Sequence, residues 1–281
     1  MFDHSPNDYD FPVEMQDVFS EDGKIIPTHK VAMRLDTLEP MGLHSPTYKL
    51  SPYGDAVDQL MSAVDEANIS KDYKLTTTVL EGGRKLKGEI LFPDLTIEPD
   101  VGDIVAFRIQ FFDSYSGAWA FQQIIDALRL WCLNGCVNSL GIAQSWGKHT
   151  KNLDVSASAG KLAGGMEFFL TQEDTWKAWR GVKVEQWQAE HLFRKTLAKR
   201  PHNRGYTVDV QQQANVKQLD NLLSIYAKEK QQLGANKWAL YNAMTHWSTH
   251  TDESSTPVNT RKIREAAVAD AMTHAAFAQL A

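Results

Sequence analysis

Between Asp103 and Lys151 the hydrophobic period of the chain changes, and that change limits what it can fold into. Ile104, Ala106, Phe107, Ile109 and Phe111 are interleaved with Arg108 and Gln110, a two-residue period that predicts a strand with one buried face. Asp113-Ser114-Tyr115-Ser116-Gly117 interrupts it, because Asp and Ser bond their own backbone and Gly lets it bend. Beyond Gly117, Phe121, Ile124, Ile125, Leu128, Leu130, Trp131 and Cys132 recur at three- and four-residue steps, which predicts a largely buried helix. Asn134-Gly135 tolerates a left-handed backbone and would end it. Asp113, Ser114, Gly117 and Asn134 are therefore structural residues of a polar corner.

The flanking text supplies the rest of the architecture. Residues 1–27 are rich in Asp, Asn, Pro and Ser and lack a period, so they read as an irregular acidic arm. Two short strands are expected around Pro40-Met41-Gly42, and a helix from about Gly54 to Asn68 with Val57, Leu60, Met61 and Val64 inward. Residues 73–80 and 85–92 are β-rich and flank Glu81-Gly82-Gly83-Arg84, a hairpin signal. Residues 93–102 read as a connection. After residue 153 the pattern is helical throughout, with polar breaks near 201–205 and 252–259. The predicted class is α+β: an antiparallel hairpin and third strand packed on a long helix, then an all-helical C-terminal half. The corresponding division is an arm at 1–27, an α+β core at 28–152 and a helical region at 153–281.

Charge is unevenly spread. Residues 1–66 hold 13 acids and 4 bases, whereas residues 151–205 hold 6 acids and 10 bases. An acidic leader aids solubility, and it could also compete with a polyanion for a basic face. No run reaches the roughly 20 apolar residues of a membrane span, and the acidic N-terminus does not resemble a signal peptide, so a cytoplasmic protein is expected. Cys132 and Cys136 lack ligand partners nearby and read as small buried apolar groups.

Three short motifs carry a resemblance to a known family. Asp113-Ser114-Tyr115-Ser116-Gly117, Leu130-Trp131-Cys132-Leu133-Asn134-Gly135 and Lys148-His149-Thr150 resemble motifs of the phage- and plasmid-borne family called domain of unknown function 932. Residues 237–247 are similar to its closing helix, and the likeness covers roughly residues 100–280. Asp113 stands where that family has Asn, and Tyr115-Ser116 where it has His-Asp. The resemblance implies a mobile-element protein acting in a bacterial host. The order helix, hairpin, third strand, long helix also resembles the phage single-strand-annealing recombinases, the superfamily of RecT, Erf and Red-beta.

Signatures of nucleotide loops, zinc helices, nucleophile elbows and kinases are all missing, so a binding protein without cofactor or metal is favoured over an enzyme. Single-stranded DNA needs cations along a groove and planar side chains for stacking. Arg84, Lys85 and Lys87 on the hairpin, Arg108 and Tyr115 on the strand and corner, and Trp146, Lys148, His149 and Lys151 beyond the helix supply both. The expected partner is single-stranded DNA, with homo-oligomers formed through the helical half. Two alternatives stay open. One is an interaction protein that disarms host defence through its acidic N-terminal region, with a phage or host protein as partner. The other is a metal-dependent hydrolase at Asp113 and His149.

Overall fold

The computed structural model describes residues 8–130, 134–136, 144–147, 155–199, 215–250 and 257–281. It is α+β, with two antiparallel-containing sheets in the N-terminal half and a helical C-terminal half. Two compact units interleave along the chain: residues 1–95, 107–125 and 143–168 form one, and residues 96–106, 126–142 and 169–281 the other.

In the first unit, β1 (Val13–Phe19), β2 (Ile25–Arg34) and β3 (Glu39–His44) form an antiparallel sheet in the order β1-β2-β3. Val13 faces Arg34 and Lys30 faces His44 in register. The irregular arm expected over 1–27 is thus corrected, since cross-strand pairing organises residues 13–19 although no local period announces it. The turn expected at Pro40-Met41-Gly42 falls instead at residues 35–38, between β2 and β3. Helix α1 (Tyr53–Glu66) buries Tyr53, Ala56, Val57, Leu60, Ala63 and Val64, one stripe at helical spacing.

The second sheet runs β4 (Lys74–Leu80), β5 (Lys85–Asp100), β6 (Asp103–Ser114), β7 (Phe121–Arg129) and β8 (Asn134–Cys136), with β9 (Gln144–Gly147) also pairing with β7. β4 and β5 form the expected hairpin, Leu80 opposite Lys85 and Lys74 opposite Leu91. β5 continues through Pro93 and Pro99, where a connection was expected. Its Gly88 lies under Phe111 of β6: a Cβ there would meet the Phe111 ring at 1.9 Å.

The helix expected after Gly117 is a strand, β7, and this is the largest correction. Phe121, Ile124, Ile125 and Leu128 fit a helical step, but every residue from Phe121 to Arg129 is buried, including Gln122, Gln123, Asp126 and Arg129. A strand with both faces covered has no alternation to read, so a short apolar run looks the same in either conformation. Asn134 and Gly135, expected to end that helix, pair with Arg129 and Leu128 in the β7–β8 ladder. The element order shared with the recombinases loses its long helix.

In the second unit, buried ion pairs accommodate the polar residues of β7. Arg129 is held between Asp103 and Glu229 (2.9 Å to the latter), and the indole of Trp238 donates to Asp103 at 2.7 Å. Arg261 pairs with Asp126 at 2.8 Å and with Glu265 at 2.5 Å. Helix α2 (Val155–Leu170), which belongs to the first unit up to Phe168, is followed in the second by α3 (Gln172–Gly181), α4 (Gln186–Lys195), α5 (Val216–Leu233), α6 (Lys237–Thr249), α7 (Pro257–Thr273) and α8 (Ala275–Ala278). Asn215 and Asn236 cap α5 and α6 by accepting from Gln218 and Ala239 N–H. α6 is buried on nearly every side: Trp238 lies 5.1 Å from Trp176 and 5.4 Å from Tyr241. Trp176 is therefore core, whereas Trp187 on α4 is exposed. Among the described residues, no helix is long and apolar enough to cross a membrane.

Candidate functional site

The corner after β6 is built by residues distant in sequence. The rings of Tyr53 and Tyr115 stack at 3.9 Å, and Phe11 meets both edge-on at about 6 Å. Tyr53 Oη donates to the Gly83 carbonyl at 3.2 Å, and Tyr115 N–H also donates to the Arg84 carbonyl at 3.0 Å. The hairpin turn and the corner are thereby fixed to each other. Ser114 Oγ donates to the Trp119 carbonyl at 2.9 Å and accepts from Trp119 N–H at 2.8 Å, closing the loop on itself. Gly117 completes the turn at φ 74°, a conformation that a side chain would strain. Asp113, Ser114 and Gly117, the expected structural residues of the corner, all lie within it.

His44 joins the corner from the end of β3. Its Nε2 lies 2.7 Å from the Tyr115 carbonyl, and since a carbonyl only accepts, Nε2 carries the proton. The approach is possible because position 42 is glycine: a Cβ there would sit 2.3 Å from the Tyr115 oxygen. The His44 ring also stacks on Tyr48 at 3.8 Å, nearly parallel.

Asp113 is the electrostatic centre of the cluster. Its Oδ1 accepts from Ser114 N–H at 2.7 Å, but burial pushes the carboxyl up to about 7. Burial first, and the nearby Asp113 second, raises the phenol of Tyr48. Burial also raises Tyr53 and Tyr115, with Asp113 contributing to both.

Beside this cluster lies a pocket of about 580 Å³ lined by His44, Ser45, Thr47, Tyr48, Lys49, Ser116, Gly117 and Trp119, with Leu43 and Ala120. Its chemistry is mixed: aromatic rings, three aliphatic hydroxyls, the Tyr48 phenol and one ammonium. Such a cavity suits a molecule with a flat apolar part and an anionic part.

The residues expected to bind nucleic acid fall into three groups. Lys85 lies next to the pocket, with Nζ 4.9 Å from the centre of the Trp119 ring and 2.5 Å from Glu81. Lys87 stands two residues along the same strand and is half-buried, while Arg84 is exposed and donates to the Pro40 carbonyl at 3.2 Å. Arg108 and Tyr115 require correction. Arg108 is buried and paired with Glu89 at 2.9 Å, and Tyr115 is 1% exposed in the corner stack. From Val105 to Ser114 every residue of β6 is buried, so its neighbours cover the face that the sequence pattern left open, and the corner that follows buries Tyr115. Trp146 sits on β9 with its backbone opposite Gln122, and Lys148, His149 and Lys151 lie outside the described residues.

Sequence reasoning missed His44, Tyr48, Tyr53 and Phe11 as members of the site. Tyr53 and Tyr115 are 62 positions apart, so no local period links them. The pair His44–Tyr48, flanking Ser-Pro-Thr, was the one visible sign that the segment after β3 carries more than a turn.

A family model described as domain of unknown function matches residues 40–274, reaching from β3 through α7. The chain belongs to that family, DUF932. The match begins well before the residues that carry the motif resemblance, and it takes in the whole pocket and the hairpin, while β1 and β2 precede it. No curated protein and no solved structure matches the chain.

Proposed function

We propose that this DUF932 protein binds single-stranded DNA along the β4–β5 turn and the adjoining pocket, serving strand annealing or recombination in a phage or other mobile element. The observation that carries the reading is the placement of Lys85 over Trp119, a lining residue of the pocket. Cations that meet phosphates thereby adjoin a pocket whose partly exposed Tyr48 can meet a base. The contacting cations are Arg84, Lys85, Lys87 and Lys49; Arg108 and Tyr115 support the framework instead.

Fluorescence anisotropy with single- and double-stranded oligonucleotides at two salt concentrations tests this. Binding should favour the single strand and weaken with salt by about 0.7 in log K per log salt for each phosphate neutralised. Absence of binding at low salt would refute it.

A second reading is favoured by Asp113, whose carboxyl near 7 suits proton transfer beside a pocket. On that reading the corner hydrolyses a ligand, and Asp113→Asn abolishes turnover without weakening binding.

A further inference from the structure

We infer that the pocket between residues 43–49 and 116–120 is a seat for one nucleoside monophosphate, either free or at the end of a strand. The inference rests on the DNA-binding reading and names the unit that enters. Four features of the pocket converge on it.

The volume comes first. About 580 Å³ lies within the range of small-ligand pockets and accommodates a single nucleotide rather than several. The second feature is charge. Lys49 is exposed, Ser45, Thr47 and Ser116 bring hydroxyls, and none of the described lining residues carries a carboxylate. A phosphate monoester, with more negative charge than a bridging phosphodiester, gains most from such a set.

The third feature is aromatic: Tyr48, partly exposed and stacked on the buried His44, offers a planar base a ring edge to lie against, with Trp119 buried behind it. The fourth is the orientation of the His44 ring, set by its bond to the Tyr115 carbonyl. In the neutral imidazole, Nε2 donating to the Tyr115 carbonyl leaves Nδ1 as the acceptor, and Gly117 lies on that side of the ring: a Cβ at 117 would be 3.8 Å from Nδ1 and 3.4 Å from Cε1. A glycine here leaves space next to a hydrogen-bond acceptor at the wall of the pocket, where an exocyclic amine of a base can donate.

The experiment is a calorimetric titration of the full chain with thymidine and deoxyadenosine 5′-monophosphates and with inorganic phosphate, plus displacement of a labelled oligonucleotide by each. A nucleotide should bind more tightly than phosphate and displace the oligonucleotide. Lys49→Ala should weaken it about tenfold, whereas Lys24→Ala, an exposed position outside the proposed interface, should leave it unchanged. Circular dichroism of Lys49→Ala, an exposed position, checks that the fold is intact. Comparison of 5′-phosphorylated with unphosphorylated oligonucleotides separates a strand end from a free nucleotide as occupant. If oligonucleotides bind with the expected salt dependence but nucleotides neither bind nor displace them, the seat is refuted and the DNA reading stands. If nucleotides bind and no oligonucleotide does, the seat stands and the polymer reading falls. Equal affinity for phosphate and nucleotide overturns the assignment of a base.

Discussion

Tyr53 and Tyr115 exchange hydrogen bonds: the backbone N–H of Tyr53 donates to the phenol oxygen of Tyr115 at 2.9 Å, and that of Tyr115 to the phenol of Tyr53 at 3.1 Å. This reciprocal pair joins the first turn of α1 to the end of β6, so both the helix start and the corner depend on two phenols.

The two are not equivalent, which makes them testable. Tyr115 N–H has a second acceptor in the Arg84 carbonyl, whereas Tyr53 N–H lies in the first turn of a helix and has no carbonyl four residues back inside it. Tyr115→Phe therefore strands a buried donor and should cost about 1–3 kcal/mol. Tyr53→Phe should cost less, its main loss being the bond to Gly83. Urea denaturation of both variants ranks them, and the reverse order would contradict the pairing.

Asp113 predicts a pH dependence of stability. Its folded value of about 7 lies above the ordinary 3.8, so the folded protein holds this proton more tightly than the unfolded chain does. The stabilising contribution is complete below 3.8 and is lost as pH rises through about 7. Asp113→Asn removes the ionisation. The variant's stability relative to the parent should increase with pH across that window. Parallel stability–pH curves for the two proteins would show that the carboxyl does not titrate there.

Arg129 predicts a large loss in the second unit. With Asp103 and Glu229 on either side and 2% of its surface exposed, its removal leaves two carboxylates in an apolar surrounding. Arg129→Ala should cost roughly 3–5 kcal/mol. Arg129→Lys keeps the charge but cannot reproduce the fork that reaches both acids, so it should fall between. Thermal melts of both variants decide this.

Arg108 and Lys87 separate framework from interface. Arg108→Ala breaks the buried pair with Glu89 and should lower the melting temperature. Lys85→Ala and Lys87→Ala should lower the melting temperature less than Arg108→Ala does, and each should reduce the salt slope of oligonucleotide binding by about 0.7. If affinity instead tracked only the Arg108 variant, the interface would have to be sought elsewhere.

Where the sequence spoke clearly, local physics decided the structure. The α1 stripe at Val57, Leu60 and Val64 and the Gly-Gly hairpin turn are set by residues close in the chain, and both appear where the pattern puts them. The helical half behaves likewise, with helices where the apolar period predicts them. β7 was not legible because its identity depends on partners that arrive later: Asp126 needs Arg261 and Arg129 needs Glu229, each over 100 residues away or close to it. The pocket was hidden for the same reason. His44 and Ser116 meet only because Gly42 admits the Tyr115 carbonyl and α1 brings Tyr53 beneath it.

Gly88 and Phe111 occupy one shared volume, since the ring fills the place where any side chain at 88 would stand. Evolution can therefore change this spot only in sequence. Position 111 has to shrink before position 88 can grow, and a lineage that tries the steps the other way round passes through a protein whose sheet cannot close. The two sites should drift as a couple, and a small residue at one should be accompanied by a bulky residue at the other.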